Sequence, residues 1–555
     1  SHTSINLIQN NEKILIKNKS KMRKLFTTIV MTALALTASA TDYNDNMRVT
    51  LDGTNIFKGA TTISVDVEDA SKGTYELNLK NFMLDKDAAI GNIHVTSVPS
   101  TTYSDGTVTL ATEQEIVIEP GDLPGVKFWL GPSLQEVPVK VFGRIKDGKL
   151  YANITINKDG LGDIAVDFGE NGYQIGNSDF EAYHEAKYED ATSDEPDFWH
   201  SFMSSTGRLA YMVSKATHTY INDVLDDDNN VRPGSTGTKS LKVVSTIVDM
   251  GVKIPANGTV TTGRLQAGAG LASSTDNCSF LDLSKTDVDA IGDPFEARLN
   301  GQPDALKVWV KFKQGPLAKK NKAYVYATVS AVITDGTYYQ DPEAKGVTYK
   351  NVVAKAVNNK IESKNFAWQE LTVPFDYDTY AANKAAAKAI LVTYSTNAQP
   401  GVGSTDANTP DELWIDDMSL VYYSQLSSLT VKGASVTGFD KDTYDYNMTC
   451  EGEVTADDIN VVATGRQAVV GKKVEKTAEG YKATISVTAA DYRETHVYTV
   501  NIKTAAPAGI NAAVNNTTAA PAAIYNAAGQ RVNAAAKGLN IVKNNDGTVK
   551  KVMVK

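Results

Sequence analysis

Asn177-Ser-Asp-Phe-Glu181 and Leu413-Trp-Ile-Asp-Asp-Met-Ser-Leu420 bracket the segment around which the rest of the chain is organised, Asn177 to Tyr423. Both ends place acidic residues against apolar ones, and between them the pattern is that of strands. Ala305-Leu-Lys-Val-Trp-Val-Lys-Phe312 alternates apolar and polar residues, as a half-buried strand does. Ala367-Trp-Gln-Glu-Leu-Thr-Val-Pro-Phe375 is another strand, and Pro374, which has no N–H to donate, limits it to a sheet edge or a strand end. Ser235-Thr-Gly-Thr-Lys-Ser-Leu-Lys-Val-Val244 adds a strand that begins just after a glycine.

The other segments read in the same way. From Asn46 to about Gly169, short alternating strands lie between glycine turns: Arg48–Leu51, Ile63–Val67, Tyr75–Leu79, Thr107–Leu110 and Ile116–Ile118. The clearest hairpin spans Val141 to Ile156, where Asp147-Gly148 suits the positive φ angles of a type I′ turn and Leu150, Ala152, Ile154 and Ile156 share one face. Strands without helices mean a sandwich or a barrel, so the fold class is all-β and modular. With 555 residues, the chain is too long for one core, and about one domain per 150 residues gives three or four.

Composition narrows the function. Hydrophobic residues make up 42%, as in an ordinary globular protein, and the formal net charge is -10. Up to Ala40 the chain carries Lys13, Lys17, Lys19, Lys21, Arg23 and Lys24 against Glu12, so the chain beyond Ala40 is near -15 and repels a phosphate backbone. A nucleic-acid partner is therefore not expected. Cys278 and Cys450 fall in different segments, which excludes a disulfide framework.

Residues 1–21 read as an upstream extension, and 22–40 as a signal peptide with a basic start, a short apolar core over Leu25–Thr37 and the small-residue cleavage site Ala38-Ser-Ala40. The apolar core is shorter than the ~20 residues a spanning helix needs. The mature chain is expected to begin near Thr41, with no transmembrane segment. Thr41 stands where a lipoprotein carries cysteine, so the expected location is secreted, at the outer-membrane surface or extracellular, without a lipid anchor. Residues 505–523, rich in alanine, asparagine and proline, form a linker.

Four resemblances to known families rest on these segments. The Asn-x-x-Phe-Glu opening, the Ser-Leu-x-Val strand and the Ile-Asp-Asp closing strand resemble jelly-roll carbohydrate-binding modules. In this order they are similar to the carbohydrate metabolism domain of Gram-negative gut bacteria, here over residues 171–423. In such modules the first and last strands lie side by side, and the opening Glu and a closing Asp hold a structural calcium. The resemblance thus implies Glu181 with Asp416, Asp417 or both; successive strand residues point to opposite faces, so one binds inward while the other is solvated or bonds to a loop. Residues 41–170 resemble calycin-like β-barrel domains, which often hold apolar ligands, although the inside of a small barrel is commonly filled by side chains. Residues 424–504, with Leu426–Gly433, Phe439–Tyr446 and Glu494–Ile502, resemble a cadherin-like β-sandwich spacer. The tail, 524–555, resembles a shortened C-terminal sorting module of type IX secretion, or is a small terminal sheet without an export role.

Familiar catalytic motifs are absent. There is no Gly-x-Ser-x-Gly elbow, Gly234–Ser240 has the wrong spacing for a phosphate loop, and Gly268-Ala-Gly270 lacks a third glycine. Asp226-Asp-Asp-Asn-Asn230 begins like an EF-hand, but Val231 replaces the turn glycine and Gly237 the bidentate Glu. His184, His200 and His218 lack zinc-site spacing, so a metal enzyme is not expected. Sugar binding asks for a flat aromatic face and a few polar groups. Phe198, Trp199, Tyr338 and Tyr339 sit beside turn signals and are the candidate platforms; Trp309 and Trp414 read as core. The expected function is glycan binding by the central domain in a bacterial carbohydrate-utilisation system. The alternatives are a non-catalytic adhesin and a glycoside hydrolase using Asp194, Glu195 and Asp197, whose carboxylates would have to flank the bond about 5–5.5 or 6.5–9.5 Å apart.

Overall fold

The computed structural model describes residues 40–216, 218–505, 523–544 and 547–555. The upstream extension, the signal peptide up to Ser39 and nearly all of the linker lie outside the described residues. The described chain divides into two compact units. One holds everything through Ser424 together with Thr464–Val469 and Thr488–Thr495; the other holds Gln425–Ala463, Val470–Val487 and the chain from His496 onward.

The first unit begins with a closed barrel of eight strands: β1 (Thr41–Leu51), β2 (Thr54–Asp69), β3 (Thr74–Asp85), β4 (Ala88–Thr102), β5 (Val108–Val117), β6 (Glu136–Lys146), β7 (Lys149–Lys158) and β8 (Gly162–Phe168). It closes where β1 pairs antiparallel with β8, from Met47↔Phe168 to Leu51↔Ile164, which leaves no free edge. The hairpin read at Asp147-Gly148 is present, with φ angles of 50° and 73°. Alternating residues turn inward, and Met47, Val65, Leu110, Val139, Ala152 and Phe168 are among those that fill the interior.

A β-sandwich follows. Its five-stranded sheet runs Thr219–Asp223, Lys239–Val244, Glu412–Val421, Ala305–Lys313, Gln369–Pro374, and its four-stranded sheet Thr259–Thr261, Ala389–Ser395, Ala327–Thr334, Val352–Ile361. Pro374 ends an edge strand, as its missing N–H requires. Leu241, Val308, Val310, Ile415, Val329, Ala331 and Val392 are completely buried between the sheets. The opening segment forms no ladder strand. It runs beside the closing one, with Met418 N donating to Ser178 O and Leu420 N to Gln174 Oε1, each at 2.8 Å.

Buried charge joins barrel and sandwich. Arg48 on β1 pairs with Asp197 and, at 3.3 Å, with Asp293, whose Oδ1 also takes Lys58 Nζ of β2 at 2.6 Å. On another seam Tyr492 of the 488–495 stretch packs edge-on against Tyr103 and Tyr173, and its hydroxyl accepts from Lys146 Nζ at 2.9 Å. Arg466 N donates to Asp304 Oδ1 at 2.8 Å, which holds the 464–469 stretch to the same unit.

In the second unit, Leu426–Val431, Ala434–Ser435 and Ile459–Ala463 form one sheet, and Asp445–Glu451, Thr495–Ala505, Gly480–Thr488 and Val469–Thr477 another. Tyr498 links them: its hydroxyl accepts from Leu426 N at 3.0 Å and donates to Lys441 O at 2.6 Å. The tail is a four-stranded antiparallel sheet of Ala523–Asn526, Arg531–Val532, Gly538–Lys543 and Val549–Val554. Cys278 and Cys450 are both free thiols.

Removing one member of a buried ion pair leaves its partner's charge uncompensated. Arg48→Ala is expected to destabilise the first unit by about 3–5 kcal/mol. Lys58→Ala, whose side chain is 37% exposed, is expected to cost under about 1 kcal/mol. Calorimetric melting of the full chain checks both, and equal effects would show that burial does not govern this seam.

Candidate functional site

The acidic junction is built by a turn and a bulge. Asn177 (φ 50°) holds the turn, its amide donating to Ala182 O and Asp197 O, each at 2.9 Å. Glu181 comes next, and its carboxylate accepts from Thr238 N and Lys239 N at 3.0 Å each. Gly237 permits this approach, since a Cβ there would lie 2.0 Å from Glu181 Oε1. On the closing strand the ladder runs from Lys307↔Ser419 to Trp309↔Asp416, so that strand carries one extra residue, and Asp417 takes φ 42°.

The two aspartates consequently differ. Asp417 Oδ2 pairs with Arg232 Nε at 2.6 Å. Asp416 is completely buried; its Oδ2 accepts from Arg232 N at 2.8 Å and its Oδ1 has no hydrogen-bond partner. Burial, reinforced by the charges of Asp417 and Glu181, pushes the Asp416 carboxyl up to about 7. Asp416 is thus buried and Asp417 is bonded to a loop. Three junction carboxylates do not converge within 4.8 Å of one another; among the described residues the group that does is His184, Glu195 and Asp289.

The four aromatic platform residues lie in different surroundings. Trp199 is completely buried, against Phe180 and Tyr394, and Tyr339 is buried against Tyr349. Neither presents a face to a ligand, which corrects the expectation from turn signals: the ring after a turn falls here on the core side. Phe198 (φ 68°) is half-buried and covered by the Arg48 guanidinium, 4.2 Å above its centre. Tyr338 is 42% exposed and lies 5.9 Å from the Phe280 ring, so it alone of the four offers an open face.

A larger aromatic group lies elsewhere. Val308, Val310, Leu413 and Ile415 turn inward, so alternation places Trp309 and Trp414 on the outer face of the five-stranded sheet, where both are half-buried. Trp368 and Phe366 both pack edge-on against Trp414, at 6.3 and 5.2 Å, while Lys311 Nζ stands 4.5 Å from the centre of Trp414 and 4.4 Å from that of Phe366. Lys242 lies between Trp414 and the exposed Tyr220, 6.0 and 5.6 Å from their rings. Cation–π attraction orients these rings. This corrects the reading of Trp309 and Trp414 as core: alternation of Trp309 with two valines shows two faces without saying which is outside. Asp416 shares the outer face with Trp414, two residues away, and is buried there beneath Arg232, whose guanidinium also lies 5.7 Å from the Trp309 ring.

Of the carboxylates considered for glycoside cleavage, Asp194 is exposed, whereas Glu195 and Asp197 are buried. Glu195 Oε2 accepts from Ser201 N and Oγ at 2.8 and 2.7 Å. Asp197 is held by Arg48 and by His184 Nδ1 at 2.9 Å. Neither carboxylate can flank a sugar bond from there. Burial acts against a charged His184, but the hydrogen bond to Asp197 and the neighbouring Glu195 outweigh it and push the ring up to about 10. The Asp226–Asn230 stretch is a loop ending in a short 3-10 turn capped by Asp227, whose side chain accepts from Asn229 N at 2.8 Å.

Residues 40–171 match a family model described as a Calycin-like beta-barrel domain, and these residues form the closed barrel β1–β8. No curated protein matches the chain.

Truncating a large buried aromatic removes its contacts and leaves a cavity. Trp199→Ala is therefore expected to lower stability by about 3–5 kcal/mol, whereas Tyr338→Ala stays within about 0.5 kcal/mol. Calorimetry compares the two, and a Trp199→Ala protein melting like the wild type would overturn the core assignment.

Proposed function

We propose that the protein is a secreted or cell-surface glycan-binding protein that holds polysaccharide on the outer face of the five-stranded sheet. The observation that carries this reading is the group of half-buried rings there, Trp309, Phe366, Trp368 and Trp414, with exposed Tyr220 beside them. A pyranose presents an apolar C–H face to such rings, while Lys242, Glu412 and Glu370 of the same sheet supply polar partners for its hydroxyls. Tyr338 and Phe280 form a second, smaller platform. Binding is favoured over glycoside cleavage because Glu195 and Asp197 are sealed among protein groups.

In this reading the sandwich is a carbohydrate-binding domain, the two-sheet segment 424–504 is a cadherin-like spacer, and the tail sheet is a sorting module for type IX secretion. Among the described residues no helix is long and apolar enough to cross a membrane. The filled barrel serves as a presenting element. A structural calcium sits at the acidic junction, with Asp416 Oδ1 its best-suited ligand because that atom is buried and unpartnered, and Glu181, whose charge acts on Asp416, the second. Asp417, already paired with Arg232, is the weakest of the three. Calcium tolerates such irregular oxygen sets, whereas magnesium demands a tighter octahedron.

Retention on plant, mucin and microbial polysaccharides, read together with released reducing sugar, tests the binding reading. Tyr220→Ala and Trp368→Ala are expected to lower retention at least about tenfold while the protein stays folded. Release of sugar would favour the hydrolase, and neither retention nor release the adhesin.

Calcium at about 100 times its dissociation constant is expected to stabilise the first unit by about 2.7 kcal/mol. Asp416→Asn abolishes that gain. Identical melting in calcium and in chelator would remove the ion from the junction.

A further inference from the structure

Strands β9 (Tyr183–Tyr188) and β10 (Ala191–Pro196) form a hairpin in which His184 and Glu195 stand directly opposite each other. Directly opposed residues of a ladder share a face, and here that face is turned inward. The side chains of His184, Glu195 and Asp289 are 9%, 1% and 1% exposed. His184 Nε2 lies 3.6 Å from Glu195 Oε1 and 3.8 Å from Asp289 Oδ2, and His200 Nε2 lies 3.3 Å from the same Asp289 oxygen. A tetrahedral zinc with ligands at about 2.0–2.2 Å separates neighbouring donor atoms by about 3.3–3.6 Å, close to this spacing.

Each side chain is oriented by its other atoms. Asp197 Oδ1 is 2.9 Å from His184 Nδ1, so the ring donates there and its Nε2 lone pair points into the cluster, the carboxylate–histidine arrangement that supports metal ligands. Asp289 Oδ1 accepts from Ile291 N and Asp293 N at 3.0 and 2.8 Å, which leaves Oδ2 without a partner. The serine bonds to Glu195 hold its carboxylate in place. His184 Nε2 and both nitrogens of the wholly buried His200 also lack hydrogen-bond partners. Buried polar atoms left unpaired are costly, and three of them, His184 Nε2, His200 Nε2 and Asp289 Oδ2, meet at one place.

Charge and reach agree. Four carboxylates, Glu195, Asp197, Asp289 and Asp293, gather around two cationic side chains, Arg48 and Lys58, and a divalent ion balances that excess. The Glu195 and Asp289 oxygens stand 3.6 and 3.8 Å from His184 Nε2, too far for a hydrogen bond and near the spacing of donors that share one ion.

We propose that His184, Glu195 and Asp289, with His200 Nε2 beside Asp289 as a further donor, form a closed structural site for a first-row transition-metal ion. Mixed imidazole and carboxylate donors select zinc over calcium or magnesium, which take oxygen ligands. The ion joins the β9–β10 hairpin to the loop carrying Asp289 and Asp293, and Arg48 and Lys58 extend that joint to the barrel.

Full-length protein stripped with a strong chelator and titrated with zinc provides the test. Expected are one bound zinc per chain by elemental analysis, a melting temperature raised by several degrees, and visible d–d absorption of a low-coordinate site when cobalt replaces zinc. Asp289→Asn, which preserves shape and the Oδ1 contacts, and His184→Gln are each expected to weaken zinc binding at least about tenfold. Asp416→Asn leaves zinc binding unchanged, which separates this site from the acidic junction. Folded wild-type protein that neither binds zinc nor melts higher in its presence would overturn the proposal, as would full zinc retention by both variants. The wild-type titration decides the matter if a variant fails to fold.

Discussion

Ile415 pairs with Leu241 on one side and Val310 on the other, at the centre of the five-stranded sheet, and this register decides which way every nearby side chain faces. With Ile415, Leu413 and Val310 packed between the sheets, Trp414, Asp416, Trp309 and Lys311 are carried to the opposite face. A slip by one residue would exchange the two sets, driving lysine and aspartate into the core and exposing its valines and leucines. The aromatic group and the acidic junction thus follow from one packing constraint. The bulge near Asp417 modifies it locally: it lets Asp416 stay buried while Asp417 swings to Arg232.

Charge follows a different rule on the barrel side. Arg48, Asp197, His184 and Asp293 are held in a region largely without water, where each is stable only while its partners remain. This makes the seam specific as well as strong. Arg48 reaches the sandwich because its barrel strand carries it outward while its neighbours Met47 and Val49 fill the barrel interior. The filled interior and the charged exterior of β1 are two consequences of the same alternation.

Much of this architecture was legible locally. Alternation in Ala305–Phe312, the Asp147-Gly148 turn and the edge position of Pro374 each rest on a few neighbouring residues, and each is found where it was read. The site was less legible. Trp309 between two valines announces two faces, but the identity of the inner face depends on a second sheet contributed by residues far along the chain. Trp199 beside a turn looked accessible, yet Phe180 and Tyr394 close over it.

The histidine cluster marks the limit most sharply. His184 and Glu195 are separated by ten residues and Asp289 lies far beyond them, so no metal-ligand spacing exists in the sequence. A hairpin register sets the first two face to face, and a loop returning from the sandwich adds the third. The sequence by itself determined the all-β class, the strand alternation and the turns, because backbone sterics and side-chain period act over a few residues. Tertiary structure alone decided which rings are exposed and which carboxylates lose water, because burial depends on what the rest of the chain places against them.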